Sequence, residues 1–347
     1  MEMRTRLLDI NQLQDGMITA KEIIYNGTVL IGKDIKLTDY LLDKLNLIYY
    51  LDKVEVYISE EESKELIALE KVDETLKNIT VDVKLLFDNT STLKSSTTNE
   101  VNKYTEKLLD ELKSNSLFLK NIILKGSGED IIYRHSVNVA AVSYMIGKWA
   151  GFSENKLHHL VYASLLHDFG KTKISKQIIK KSGKLTPEEF EVMKTHPRVT
   201  YEEIKEIPFI SNSVLYGVLM HHERCDGSGY PLGLKGAQIH DFGKIIGISD
   251  TFDALNSNRL HKKKKSPLEA LKIIRDESLE KLDFKYCNIL LDGLKNFYVG
   301  QNALLNNGDT CKIIQISTNN IDSPLVLTNN EFVDLSRSSN LHIVELI

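Results

Sequence analysis

The spacing of apolar residues changes along the chain and predicts three kinds of structure. Between residues 7 and 59, short apolar runs alternate with turn-forming segments, such as QDG at 14–16 and NGT at 26–28. Short apolar runs bounded by glycine and asparagine are typical of strands. One segment among them, TDYLLDKL, has helical spacing. The pattern therefore predicts a small α+β module at the N-terminus.

Helical spacing dominates the rest of the chain. Charged and apolar residues recur at helical intervals from 60 to 83, and the polar run DNTSTLKSSTTNE that follows predicts a loop or hinge. Helical spacing returns at Val101 and continues with interruptions to Phe297. Beyond Tyr298 short alternating segments return, with NNGD as a turn, which predicts a small β module. We therefore expect a mainly α protein with an all-helical core and two small terminal modules.

Capping residues predict several helix ends. Thr186, Pro187 and Glu189 fit the N-cap, the first helical position and the third helical position of a capping box. Another helix is expected over residues 131–150 because a glycine follows it directly. The segment SLLHDFGK is expected to be a helix that ends at Gly170 in the left-handed conformation.

Composition narrows the class of protein. The 347 residues suffice for two or three compact units. With 44 basic against 48 acidic residues, the formal net charge of -4 argues against a protein that binds nucleic-acid polymers. We find no signal peptide and no long apolar stretch, and so expect a cytoplasmic protein with no membrane attachment. Cys225, Cys287 and Cys311 have no CxxC spacing and are expected to be reduced thiols.

Histidines and acidic residues gather in two motifs. LLHDFGK spans residues 165–171, and HHERCDGSGYP spans residues 221–231. An isolated histidine is more often structural than functional, but adjacent His-Asp and His-His pairs favour a site. The histidines without such partners are expected to be structural or exposed: His158, His159, His240 and His342.

Imidazole and carboxylate groups in this arrangement suit divalent metal ions. Mixed nitrogen and oxygen ligation is typical of zinc, iron or manganese, and the lack of cysteine ligands argues against a structural zinc. The donors also outnumber those that one ion with open positions can use, and a carboxylate that bridges two ions is common in phosphoryl transfer. We therefore predict a catalytic centre of two ions, with its ligands among His135, His167, Asp168, His196, His221, His222 and Asp250.

Six segments resemble the HD-GYP family, the branch of the HD phosphohydrolase superfamily that hydrolyses the bacterial second messenger cyclic di-GMP. They are YRHSVNVA, ASLLHDFGK, KSGKLTPEE, KTHP, HHERCDGSGYP and ISDTFDALNSNR, in this order. The resemblance covers about half of the chain and implies an HD-type helical bundle there. The expected division is an N-terminal module at 1–59, a helical linker with a polar hinge at 60–117, the HD-GYP domain at 118–297 and a β module at 298–347.

The resemblance also implies roles position by position. The metal ligands are His135, His167, Asp168, His196, His221, His222 and Asp250, with Asp168 as the bridge. His167, Asp168 and Lys171 are the implied catalytic residues, and the implied phosphate contacts are Lys171, Arg259 and Lys262. The glycine-rich loop, DGSGYP at 226–231, supplies the other implied substrate contacts: Asp226, Gly227, Gly229, Tyr230 and Pro231. In the family's pattern its glycines let the backbone approach the ligand closely. The tyrosine meets a guanine base, and the proline fixes the end of the loop.

One departure from the family's pattern concerns the number of metal ions. Members with three metal ions carry a glutamate four residues before the first histidine ligand, and this chain has Ile131 there. Glu129 and Asp130 have the wrong helical phase to replace it. We therefore predict two divalent ions, iron or manganese, and no third ion.

The implied reaction is hydrolysis of cyclic di-GMP to linear pGpG by a hydroxide that bridges the two ions, and a second cut to GMP stays open. Two alternatives stay open. A sensor or scaffold would bind cyclic di-GMP with negligible turnover, so metal-dependent release of pGpG distinguishes it. The protein would otherwise be an HD-type hydrolase of another nucleotide, such as a mixed cyclic dinucleotide. Turnover of a panel of substrates distinguishes this alternative. The sequence also leaves open a homodimer through the helix at 60–83.

Overall fold

The computed structural model describes residues 4–10, 13–47, 53–89, 95–128, 130, 132–181, 183–257, 265–317, 320–338 and 340–346. The chain forms two compact units that divide between Lys71 and Val72. The four-part division expected from the sequence stays a prediction.

The first unit is a small α+β module. Its elements are β1 (Thr5–Leu8), β2 (Ile18–Thr19), β3 (Ile23–Tyr25), β4 (Thr28–Ile31), α1 (Asp39–Asn46) and β5 (Val54–Tyr57). An antiparallel sheet has the order β1-β5-β2, and β3 pairs with β4 in a hairpin. Leu8, Leu37, Leu45 and Val56 are buried together, which joins the sheet to α1.

The second unit consists mainly of helices around one apolar core. A long helix, α2 (Glu60–Asn89), crosses the division between the units. The further helices are α3 (Ser95–Ser114), α4 (Ser116–Lys125), α5 (Tyr133–Trp149), α6 (Glu154–Leu166), α7 (Lys176–Ile179), α8 (Pro187–Met193), α9 (His196–Ile204), α10 (Asn212–Met220), α11 (Asp241–Asn256), α12 (Pro267–Glu277) and α13 (Phe284–Tyr298).

Helix α5 lies at the centre of this unit. It packs against α6 and α11, which in turn both pack against α10. Every residue of α5 from His135 to Gly147 is buried, as is typical of a helix covered on all sides. The mainly helical fold class predicted from the sequence is therefore confirmed.

Local signals account for some helix ends. The Thr186 hydroxyl accepts a hydrogen bond from the Glu189 N–H, and the Glu189 carboxylate accepts one from the Thr186 N–H, so the predicted capping box is confirmed. The predicted hinge was wrong over its second half, because α3 begins at Ser95. Buried Val101 and Leu108 anchor α3 in the core, and such packing outweighs the modest helix propensity of serine and threonine.

The predicted end of the SLLHDFGK helix was also wrong. Helix α6 ends at Leu166, and a short 3₁₀ turn follows at Phe169–Lys173. Gly170 does not have a positive φ. Glycine is required there for space, since a Cβ atom would lie 2.2 Å from the carbonyl oxygen of His196. The early end leaves the His-Asp pair in the turn after the helix.

The C-terminal strands form one antiparallel sheet. They are β6 (Asn302–Leu305), β7 (Thr310–Gln315), β8 (Leu325–Thr328), β9 (Glu331–Asp334) and β10 (Ile343–Leu346), in the order β10-β6-β7-β8-β9. Ile313, Val326 and Ile343 join the core of the second unit. The predicted β module is confirmed. In the described part of the chain, none of the helices is long and apolar enough to cross a bilayer.

Candidate metal centre

The seven residues predicted as metal ligands converge from five segments. His135 lies in the first turn of α5, His167 and Asp168 follow α6, and His196 begins α9. The pair His221 and His222 follows α10, and Asp250 lies in the middle of α11. Because α5, α6, α10 and α11 pack together, ligands that are far apart in sequence meet at one place.

The donor atoms form two groups. One combines Asp168, His196, His221 and His222, and the other combines His135, His167 and Asp250. Within each group the donor atoms lie within 4.8 Å of one another, close enough to surround one ion.

Asp168 lies between the two groups. Its Oδ1 is 3.2 Å from Nε2 of His196, whereas its Oδ2 is 3.3 Å from Nε2 of His167 and 3.6 Å from Nε2 of His135. The two oxygens of one buried carboxylate therefore face different histidines. On the second group's side, Oδ1 of Asp250 is 3.1 Å from Nε2 of His135.

Hydrogen bonds orient the imidazole rings. The Nδ1–H groups of His167, His196 and His221 donate to the carbonyl oxygens three residues earlier, at 2.7, 2.7 and 2.6 Å. The Nδ1–H of His135 donates to a carboxylate oxygen of Asp253. Donation from Nδ1 leaves the lone pair on Nε2, which is the arrangement that metal-binding histidines usually have.

Buried polar atoms that lack hydrogen-bond partners indicate that the site suits cations. Nε2 of His135, Nε2 of His167 and Oδ1 of Asp168 are buried and make no well-oriented hydrogen bond. Each such atom lowers the stability of the folded protein by about 1–3 kcal/mol when it has no partner. Three of them together indicate a ligand that accepts electron pairs. Imidazole nitrogens and carboxylate oxygens suit a divalent ion of intermediate softness.

The charge states of His221 and Asp168 agree with this fit. Burial, reinforced by the neighbouring histidines, holds the pKa of His221 well below its usual range, so this ring is neutral and able to bind a cation. Burial alone would raise the pKa of Asp168, but His167 and Lys171 outweigh it and keep the pKa well below the usual value. The carboxylate is therefore charged, and Lys171 Nζ lies 2.5 Å from its Oδ2.

The glycine-rich loop covers part of the centre. The Tyr230 ring stacks on the His222 ring, with 4.7 Å between centroids, and the Phe190 ring meets it edge-on at 6.3 Å. A Cβ atom at Gly229 would lie 2.4 Å from the backbone nitrogen of Arg224. At this glycine the backbone therefore comes close to another part of the same chain. Gly227 has a φ of 86°, which favours glycine.

Two further predicted substrate contacts, Asp226 and Pro231, have defined local geometry in this loop. Asp226 is exposed, and its carboxylate accepts hydrogen bonds from the N–H and hydroxyl of Ser228, so it shapes the turn of the loop. Pro231 follows Tyr230 across a cis peptide bond. Arg259, Lys262, Glu129 and Ile131 lie outside the described residues.

An open cavity of about 470 Å³ adjoins the donor atoms. Its lining includes the ligands His196, His222 and Asp250 together with Lys171 and Tyr230. This volume is typical of sites for small molecules.

The sequence analysis missed several residues of the site. Glu223 is buried, and its two carboxylate oxygens accept from the N–H groups of Leu232 and Leu234 at 2.6 and 2.8 Å, which holds the glycine-rich loop in place. Asp253 orients His135, and its position three residues after Asp250 could have suggested that both face one side of the helix. No pattern along the chain indicated that Glu277 lines the cavity.

Comparison with known proteins places the second unit in a class. Residues 114–285 match the family model described as HD domain. A solved HDG"Y"P protein from Bdellovibrio bacteriovorus aligns with 85% of this chain and 100% of that chain, with a TM-score of 0.54 and 18% identity, which is evidence of a shared fold. Fold and site thus define an HD domain. Within this domain, the HHERCDGSGYP motif and the Tyr230 ring stacked on His222 agree with the resemblance to the HD-GYP branch.

Curated relatives match parts of the chain. The cyclic di-GMP phosphodiesterase of Thermotoga maritima is 40% identical over 151 residues, which are 42% of this chain and 40% of that protein. The 3'3'-cGAMP-specific phosphodiesterase 1 of Vibrio cholerae is 29% identical over 191 residues, which are 55% of this chain and 44% of that protein. The chain therefore spans less than half the length of each of these two relatives.

Proposed function

We propose that the protein is a metal-dependent phosphodiesterase that hydrolyses cyclic di-GMP to pGpG. The observation that carries this proposal is Asp168, whose two oxygens face separate groups of buried donor atoms beside an open cavity. The similarity to the cyclic di-GMP phosphodiesterase of Thermotoga maritima supports the choice of substrate.

The two donor groups support two ions. One ion would be held by His196, His221 and His222, and the other by His135, His167 and Asp250, with Asp168 shared between them. Nitrogen and oxygen donors without cysteine are consistent with iron or manganese. When bound, such ions lower the pKa of water and stabilise negative charge on phosphoryl oxygens.

The protein's own residues would hold and polarise the substrate. In the reaction, a water oxygen forms a bond to phosphorus while the bond from phosphorus to the 3′ oxygen breaks, and the leaving oxygen takes up a proton. Lys171 lines the cavity and would donate to a phosphoryl oxygen as negative charge develops there. Arg259 and Lys262 are proposed as further phosphate contacts. The glycine-rich loop, held by Glu223, would cover the substrate from one side.

The test is turnover by the full chain, purified without oxygen and supplied with Mn²⁺ or Fe²⁺. We expect cyclic di-GMP to yield pGpG on chromatography, and the His167→Ala and Asp168→Ala variants to yield none. His159→Ala is the matched control, because His159 lies outside both donor groups. Binding of cyclic di-GMP without metal-dependent release of pGpG would overturn the enzyme proposal in favour of a sensor.

A second candidate substrate is 3'3'-cGAMP. The relative from Vibrio cholerae that is named for this nucleotide favours testing it. The same assay with both nucleotides separates the candidates, since the preferred substrate has the higher kcat/KM.

A further inference from the structure

Two charged side chains in the cavity have no place in the metal centre. Arg224 belongs to the HHERCDGSGYP motif, and Glu277 is the last residue of α12; both line the cavity. The same cavity has apolar lining at Ile179, Met193 and Leu255. A ligand that fills it therefore meets apolar surface, one carboxylate and one guanidinium group besides the donors for metal.

The chain holds these two residues on adjoining segments. The N–H of Cys225, which follows Arg224, donates to the carbonyl oxygen of Lys281 at 2.8 Å. The N–H groups of Lys281 and Leu282 each donate to the carbonyl oxygen of Glu277 at 2.9 Å. The turn after α12 is thereby tied to the loop that carries Arg224.

Both side chains keep hydrogen-bonding capacity for a ligand. Nη1 of Arg224 donates to the carbonyl oxygens of Glu223 and His221 at 3.0 and 3.4 Å, which fixes one edge of the guanidinium group. Its Nε and Nη2 atoms donate to none of the described residues. The Glu277 carboxylate, which is partly buried, has no ion-pair partner among them either.

We propose that Glu277 and Arg224 recognise the Watson–Crick edge of one guanine base of the substrate. The inference rests on the proposed function and names the base that the cavity selects. Guanine presents donors at N1 and N2 beside the O6 acceptor, so a carboxylate accepts from N1–H and N2–H while a guanidinium group donates to O6. Apolar groups such as Ile179 and Leu255 would flank the faces of the ring.

Adenine does not fit this pair. Its N1 is an acceptor that would face the carboxylate, and its amino group would face the guanidinium donors. An acceptor then faces an acceptor and a donor faces a donor, so the polar groups of the site lose their hydrogen-bond partners. A hydrogen-bonding site rejects an analogue in this way. Glu277 thus selects guanine by repulsion of adenine as well as by attraction.

A pocket for one guanine base determines which linear product a mixed cyclic dinucleotide yields. In 3'3'-cGAMP only one of the two bases is guanine, so a pocket that takes guanine presents only one of the two phosphodiester bonds to the metal centre. The wild-type protein should therefore yield one of the two linear products, pApG or pGpA, in large excess. With cyclic di-GMP both orientations are equivalent.

The test compares cyclic di-GMP, 3'3'-cGAMP and cyclic di-AMP with the full metal-loaded protein and its Glu277→Gln variant. Wild type should prefer cyclic di-GMP to cyclic di-AMP in kcat/KM by at least about tenfold, the effect of one hydrogen bond to a charged group. Glu277→Gln should lose most of this preference and yield both linear products from 3'3'-cGAMP. Glu280→Gln removes an exposed carboxylate one turn further on and should behave as wild type.

The outcomes separate this inference from the proposed function. If wild type releases no linear product from any of the three nucleotides, the phosphodiesterase proposal fails. If it hydrolyses cyclic di-GMP but forms pApG and pGpA equally, or if Glu277→Gln keeps the wild-type preference with unchanged metal content, the guanine-recognising pair is overturned. Arg224→Gln should weaken the same preference, which links the second member of the pair to the base.

Discussion

The Nδ1–H of His135 donates a 2.7 Å hydrogen bond to Oδ2 of Asp253, and both side chains are buried. Asp253 also accepts from Asn138 at 2.9 Å and from Ser127 at 2.8 Å. The carboxylate therefore has a defined position and turns Nε2 of His135 toward the second donor group. It is a positioning residue for a predicted ligand.

Replacing Asp253 should weaken metal binding. In Asp253→Asn the amide cannot reproduce all the hydrogen bonds that the carboxylate accepts, so His135 loses its fixed orientation. We expect a loss in metal affinity of about 10–100-fold, the usual effect of changing a group that supports a ligand. Titration of metal-free protein with Mn²⁺ measures this. Asp276→Asn, which alters an exposed aspartate, is the control. Equal affinities in Asp253→Asn and wild type, with equal thermal stability, would rule out the positioning role.

Removing metal should lower stability. Nε2 of His135, Nε2 of His167 and Oδ1 of Asp168 have no hydrogen-bond partner, and bound cations would supply one. Binding to the folded state alone stabilises it by about 4 kcal/mol when free metal is 1,000-fold above Kd. Thermal unfolding of wild type should therefore shift downward on addition of a chelator, whereas His167→Ala should shift much less. Identical shifts in both proteins would argue that the stabilising ions bind elsewhere.

Lys171 should affect turnover more than metal content. Its ammonium group lines the cavity and lies 2.5 Å from Asp168, where it can reach a bound phosphate. We expect Lys171→Met to lower kcat by about 10²–10³-fold, as for the loss of one group that stabilises a charged transition state, while the metal content stays the same. Lys176→Met changes an exposed lysine of α7 and provides the comparison. A Lys171→Met protein with wild-type kcat would contradict the phosphate contact.

Gly170 should tolerate no side chain. A Cβ atom there would lie 2.2 Å from the carbonyl oxygen of His196, so Gly170→Ala must displace the start of α9. We expect a loss of about 1–3 kcal/mol in the free energy of unfolding, as in other overpacked sites, together with weaker metal binding through His196. Denaturant titration measures the first effect. Gly183→Ala, which has open space, should be neutral, and similar losses in both variants would disprove the close-contact explanation.

The helical class and the candidate ligands could be predicted from the sequence because both depend on local chemistry. Helical spacing and the Thr186 capping box act within a few residues, so the pattern of neighbours predicts them. The His-Asp and His-His pairs bring donor atoms together by adjacency alone. The hinge and the end of α6 were predicted wrongly because packing from distant segments decides them.

Only the tertiary structure decided how these residues act together. The sequence by itself indicated the adjacent pairs His167-Asp168 and His221-His222 as candidate donors, and the resemblance to a known family added His135, His196 and Asp250. It could not determine that Asp168 divides its oxygens between two donor groups, that Asp253 orients His135, or that Glu277 lies in the same cavity as Lys171. These relationships join segments far apart along the chain, and their geometry follows from how α5, α6, α10 and α11 pack against one another.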